Sequence, residues 1–367
     1  MENLLRELLA LPQLRELSEA VEHGECPAQM TGLSPVHRAQ MAAALRKSTS
    51  RPLLMVCADE RECARQAADL HLLTGEDVTV LPRREWQLRP AAIASRDWEH
   101  RRLRALQAMM SGATVVVTTV DALIQRCIPP HLLGENILHL TIDGRYDVAN
   151  LTARLIAAGY SRSDQVEGPG QFALRGGILD VFSPGMEQPV RCEFFDDEVD
   201  SLGYFDVATQ RRTANCRNAL ILPAGEVLPH TGPATAATAA DRLEKAAAKL
   251  RGENADRLKA TLRSDAEQLR QGLTPPGADR YMAAVYPDMT TALDYLAPET
   301  LVCISDSARV GESLRAFLWQ LKEDTTAAME SGHLCGAFAE LALSEADLQQ
   351  RQVKYSSGRI ICATCCL

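Results

Sequence analysis

The chain has 367 residues, room for two or three domains, and its 46% hydrophobic and 24% charged content is that of a globular protein with true cores. A net charge of -9 argues against unaided gripping of nucleic acid, and no apolar stretch reaches the roughly 18 residues that a membrane helix needs. The first residues lack the basic-then-apolar layout of a signal peptide, and eleven scattered cysteines read as reduced thiols, so a cytoplasmic setting with no membrane contact is expected.

Residues 3–22 read as a helix and Pro35 to Leu45 as a second, with Pro in the first turn where a missing N–H costs nothing. The apolar run Pro52 to Cys57 reads as a strand covered on both faces. Asp59 suits the N-cap of the next helix, with Glu62 completing a capping box and Gly75 ending it. A strand at 77–81, a helix from Ile93 to Met110 and a strand at 113–118 follow. Such alternation predicts a parallel sheet with helices on its faces.

The texture changes near Pro129-Pro130. A helix from Asp147 to Ala158, closed by Gly159, is followed only by strands. Phe172 to Arg175 pairs with Ile178 to Phe182 across Gly176-Gly177, and Val190 to Phe194 pairs with Val199 to Phe205 across Asp196-Asp197. From about Arg217 the α/β pattern returns: a strand at 219–222, long helices over 234–272 broken at Gly252, a strand at 300–305 and a helix at 309–322. The expected fold class is α/β, a RecA-like (P-loop NTPase-like) parallel-sheet domain split in sequence by a small β-rich insertion. Residues 1–128 form its first part, 129–211 the insertion and 212–352 the remainder.

That fold makes the phosphate loop the first chemical test. A working loop reads GxxxxGK(S/T), with backbone N–H groups around the phosphates, Lys on the outer phosphates and the hydroxyl on magnesium. Ahead of Pro35 stands Thr31-Gly32-Leu33-Ser34, and His37-Arg38 occupy the place of the Gly-Lys pair, which occurs nowhere in the chain. The second test is an acidic pair ending an apolar strand. Leu301 to Ile304 leads into Ser305-Asp306-Ser307, where Ser replaces the activating Glu, and Asp59-Glu60 is explained by capping. Gly32, His37, Arg38, Asp306 and Ser307 therefore mark a degenerate nucleotide site: no catalytic residue and no cofactor is expected.

Other chemistry is equally sparse. There is no GxSxG or HExxH arrangement. Asp196-Asp197-Glu198 with Asp200 reads better as a solvated hairpin turn than as a cation site. The tail Cys362-Ala363-Thr364-Cys365-Cys366 contains a CxxC without a matching second pair, so no metal is assigned. Arg101, Arg102 and Arg104 on one helix are the nearest thing to a local DNA-binding patch.

Several phrases in order resemble the N-terminal UvrB-homology module of the transcription-repair coupling factors (Mfd). They are Gly159-Tyr160 with Asp164-Gln165-Val166, the run Gly170 to Phe182, Phe194 to Ser201, Asp206 with Thr209-Gln210-Arg211, Leu222-Pro223-Ala224 and Leu293-Asp294-Tyr295-Leu296. Residues 353–367 depart from that wording as a divergent tail. The resemblance implies an inserted domain that binds the damage sensor UvrA, and a nucleotide site already lost. The RNA polymerase-binding and DNA-translocating parts of the family are absent from this stretch. By position, Arg162 and Arg175 match UvrA-facing arginines, and Ala173 replaces a third. Phe172 and Phe182 are either apolar anchors beside them or part of the domain's own core, and Arg175 is either partner-facing or a structural ion pair. The alternative function is a divergent ATP-dependent DNA helicase or translocase domain.

Overall fold

The unbroken apolar runs become strands buried on both faces. In a computed structural model, residues 2–23, 25, 28–86, 88, 96–231, 235–251, 255–348, 350 and 361–365 are described. The strands are β1 (Ala28–Met30), β2 (Leu53–Cys57), β3 (Val78–Leu81), β4 (Val115–Thr119), β5 (Leu138–Thr141), β6 (Ser161–Arg162), β7 (Gln171–Arg175), β8 (Ile178–Phe182), β9 (Val190–Phe195), β10 (Glu198–Phe205), β11 (Arg212–Asn215), β12 (Asn218–Ile221), β13 (Leu301–Ile304) and β14 (Ile361–Cys365). One sheet runs β1-β14-β13-β2-β4-β3, with every pairing parallel. The expected α/β class with a parallel sheet is present, and so is the separate β-rich sheet.

Strand parity divides the core. Leu53, Met55, Cys57, Val115, Val117, Leu301 and Cys303 face the layer of helices Pro35–Thr49 and Glu60–Thr74. Leu54, Val56, Val116 and Val302 face the opposite layer, built from helices Asp97–Met110, Thr235–Lys249 and Ala255–Arg270. The predicted N-terminal helix is two, Glu2–Leu9 and Pro12–His23, interrupted where Pro12 cannot continue the ladder. The helix expected at 309–322 extends over Ser307–Glu330, capped by the Asp306 carboxylate on the Arg309 N–H at 3.1 Å. The expected helix start at Ile93 and the break at Gly252 lie outside the described residues.

A second sheet, β11-β10-β9-β8-β7-β6, is antiparallel except for β6 with β7. Phe172, Leu179, Val181, Val190, Cys192 and Leu202 pack from one of its faces on Leu151 and Leu155 of helix Val148–Ala157. β5 and β12 pair with each other and join the same core through Leu138, Leu140, Ala219 and Ile221. Thus β11 and β12, beyond residue 211, return to this unit.

Buried polar groups hold the β-rich unit to the parallel-sheet body. Glu226, fully buried just after β12, lies 3.0 Å from Arg84 and 2.9 Å from Arg102. Its N–H donates to Glu99 at 2.8 Å, and its carbonyl accepts the Tyr286 hydroxyl at 3.0 Å. Arg102 is therefore not a surface cation: of the three helix arginines, only Arg101 and Arg104 are exposed.

Candidate functional site

β1 feeds Thr31 to Ser34 and then helix Pro35–Thr49, the strand–turn–helix order that a phosphate loop requires. Gly32 takes a left-handed φ of +79° with open space around it, and exposed His37 sits with its Nδ1 3.1 Å from Ser34 Oγ. Arg38 turns the other way, into the body, and is only 2% exposed. Its Nη1 donates to Glu62 Oε1 at 3.2 Å and its Nη2 to Asp306 Oδ2 at 3.3 Å.

This cluster lies beyond the carboxyl ends of neighbouring β2 and β13, where open parallel sheets place ligands. Each carboxylate is also engaged locally. Asp59 caps its helix through the Glu62 N–H at 2.8 Å and meets Arg309 Nη2 at 2.9 Å. Glu62 accepts the Ala58 N–H at 3.1 Å rather than that of Asp59. The expected capping box is thus half made, because Arg38 draws the Glu62 side chain inward. Ser307 is exposed at the first turn of its helix.

On the face of the second sheet away from helix Val148–Ala157, cross-strand register aligns Ala173, Asp180 and Arg191. Asp180 is fully buried and accepts Arg191 Nε at 2.7 Å, Arg191 Nη2 at 2.8 Å and Arg175 Nη2 at 2.8 Å. Arg191 also stacks over the Phe205 ring at 4.4 Å, and its bonds to Asp180 raise its pKa. Arg175 remains about half exposed (49%), so it is an ion-pair member and a surface group at once.

Arg162 is exposed on the edge strand β6, in register with Phe172. Phe172 and Arg175 are three residues apart on β7, so Arg162 and Arg175 fall on opposite faces of the pleat. A partner touching both must wrap the β6 edge. Phe172 is fully buried against the helix, and Phe182 is 8% exposed under Val166 and Phe205. These positions match the core reading of the two phenylalanines and leave the arginines as the exposed members of the set.

Sequence reasoning missed Arg191 and Asp180. The signal was there: one carboxylate inside the apolar strand Ile178–Phe182 calls for a buried cationic partner. It also missed Phe195, 80% exposed at the tip between β9 and β10. Among the described residues no group of His, Cys, Asp and Glu could hold a metal, and no helix is long and apolar enough to cross a membrane. The side chains of the cysteine-rich tail lie outside the described residues.

Residues 138–226 match the family model of the UvrB interaction domain. The chain is 29% identical over 313 residues to the transcription-repair-coupling factor of Bacillus subtilis, covering 83% of this chain and 26% of that protein. It is 30% identical over 251 residues to that of Haemophilus influenzae (68% and 21%), and 34% over 213 residues to that of Mycobacterium tuberculosis (55% and 17%). The chain thus spans about a quarter or less of these relatives. The resemblance seen in the wording of the sequence holds: a UvrB interaction domain match lies within a chain similar, over most of its length, to transcription-repair-coupling factors.

Proposed function

We propose that this chain is a non-catalytic docking module of a transcription-repair coupling factor that recruits UvrA in transcription-coupled nucleotide excision repair. The observation that carries the reading is the exposed, carboxylate-held Arg175 inside the segment matching the UvrB interaction domain. A guanidinium fixed on one side by Asp180 keeps further N–H groups in a defined plane for a partner's carboxylate. Arg162 supplies a second cation at the sheet edge. RNA polymerase and DNA would be engaged by other parts of the relatives, in the cytoplasm.

The phosphate position supports the non-catalytic half. Arg38 stands where a loop lysine would reach out to phosphates, yet it is consumed by Glu62 and Asp306. No nucleotide cofactor is assigned to the chain. Two measurements test the proposal. Isothermal titration with UvrA should show binding that weakens at least tenfold in an Arg162→Ala/Arg175→Ala variant; unchanged affinity would remove these residues from the interface. Magnesium-ATP should be neither hydrolysed nor bound, and measurable turnover by the purified chain would reinstate a divergent helicase or translocase domain.

A further inference from the structure

The geometry points to Phe195 as the apolar anchor of the partner interface, entering a pocket rimmed by basic groups on UvrA; this rests on the UvrA-docking reading above. Among the described residues, Phe195 at 80% has the highest fractional exposure of the large apolar side chains. It does not protrude from a loose loop. Phe195 pairs with Glu198 across a two-residue turn in which Asp196 takes a left-handed φ of 59°. The Phe194 N–H donates to the Gly177 carbonyl at 2.7 Å. On the other side, Tyr146 N–H donates to Asp197 O at 2.7 Å and Val199 N–H to Gly144 O at 2.9 Å, while Arg145 pairs with Glu198 at 2.7 Å. The backbone that presents the ring is therefore fixed before any partner arrives, which lowers the ordering cost of binding.

Its position ties it to the proposed surface. The Gly176-Gly177 turn follows Arg175, and the bond from Phe194 sets that turn against the β9–β10 tip. Arg175 and Phe195 thus stand at the same end of the sheet. At Gly177 a Cβ would lie 2.9 Å from the Phe194 carbonyl oxygen, so the contact requires glycine. At this tip Asp196 and Asp197 are exposed and Glu198 partly so, with Asp200 exposed further along β10. One cation, Arg145, faces Asp197 at 3.6 Å as well as Glu198, leaving this flank net acidic. A preorganised aromatic at a tip rich in carboxylates fits an apolar pocket with a basic rim, and Arg175 at the same end of the sheet calls for an acid beside that pocket. Such alternation fixes register between partners.

The experiment is titration of UvrA with the full chain and its Phe195→Ala and Phe195→Tyr variants, with Leu72→Ala, an exposed leucine on helix Glu60–Thr74 of the parallel-sheet body, as the control. Each variant's melting curve is recorded alongside its affinity. We expect Phe195→Ala to weaken binding at least about tenfold, as for an interface hot spot. Phe195→Tyr should retain most affinity, Leu72→Ala all of it, and the melting curves should not move. Full affinity in Phe195→Ala, with the unaltered chain binding normally, would overturn the anchor while leaving the docking reading intact. Loss of affinity accompanied by a lowered melting curve would overturn it too, since Phe195 would then be structural. No binding by the unaltered chain would overturn both. Concentration-dependent self-association abolished by Phe195→Ala would assign the ring to a second copy instead.

Discussion

Arg38 and Asp306 are 268 positions apart in sequence and bonded at 3.3 Å, with Glu62 on the other guanidinium arm at 3.2 Å. One buried cation thus joins the ends of two neighbouring parallel strands to the first turn of a helix. Burying these charges is costly, and only their mutual satisfaction makes the arrangement tolerable. The corner beyond these strand ends is closed by a buried ion cluster, a structural clasp between the strands and the helix.

Removing the clasp cation should be severe. Arg38→Ala leaves two carboxylates in the interior without their partner, and breaking such a cluster typically costs about 3–5 kcal/mol. Guanidinium chloride unfolding of the parallel-sheet body, followed by tryptophan fluorescence, should show the transition moving to lower denaturant. A shift worth less than about 1 kcal/mol would mean that water or Arg309 compensates, as at an exposed ion pair.

The fold was legible wherever one physical requirement decided it. Strands buried on both faces need continuous apolar runs, and 53–57, 115–117 and 301–304 have them. Gly75 and Gly159 are left-handed at φ 72° and 86°, so the helix ends were readable. The site was less so. Period-two alternation separates Phe172 from Phe182, but it does not show that a loop through Val166 also covers the second face. Arg102 looks like Arg101 until Glu226 arrives from the distant segment that follows β12. The destination of Arg38 depends on Asp306, a long-range contact that no local pattern encodes.

Arg175 and Arg191 share Asp180 but should separate under mutation. Arg191 contributes two of the three bonds to Asp180 and stacks on Phe205. Arg175→Ala leaves Asp180 doubly bonded, so stability should change by no more than about 1 kcal/mol, as for a half-exposed pair. Arg191→Ala leaves a fully buried carboxylate with one partly exposed partner and should cost about 3 kcal/mol. Thermal melts of the two variants check the ranking, and equal losses would mean that Arg175 is chiefly structural.

His100 should give the body–insertion contact a pH dependence. Its ring lies within 3.8 Å of the position a Gly170 Cβ would take, on the insertion side. Burial, reinforced by Arg96, lowers its pKa below the usual 6.5, against Glu99, Asp97 and the Ala224 backbone. A depressed folded-state pKa means stability fully present above 6.5 and progressively lost as pH falls through the folded value. Amide protection factors at 170–172 and 224–226, with the intrinsic pH dependence of exchange divided out, should therefore fall as pH drops below 6.5, and His100→Gln should flatten that trend. An identical profile in the variant would assign the effect to other groups.

Glu226 tests whether the inter-unit attachment is directional or electrostatic. Its contacts with Arg84 and Arg102 are close, yet neither is aligned as a hydrogen bond. Burial pushes the Glu226 carboxyl upward against the pull of Arg102 and Arg84, so desolvation offsets much of the attraction. The cost of removing it should therefore come mainly from the arginines left behind. Among the described residues, Arg84 keeps Asp279 at 2.8 Å, but Arg102 is left with the Pro82 carbonyl at 2.8 Å and the weaker Ala122 carbonyl at 3.4 Å. Glu226→Ala should cost about 3–5 kcal/mol in denaturant unfolding. Because alignment contributes little, the isosteric Glu226→Gln should lose nearly as much. If Gln instead preserves most of the stability, shape and hydrogen bonding hold the β-rich unit in place, and charge does not.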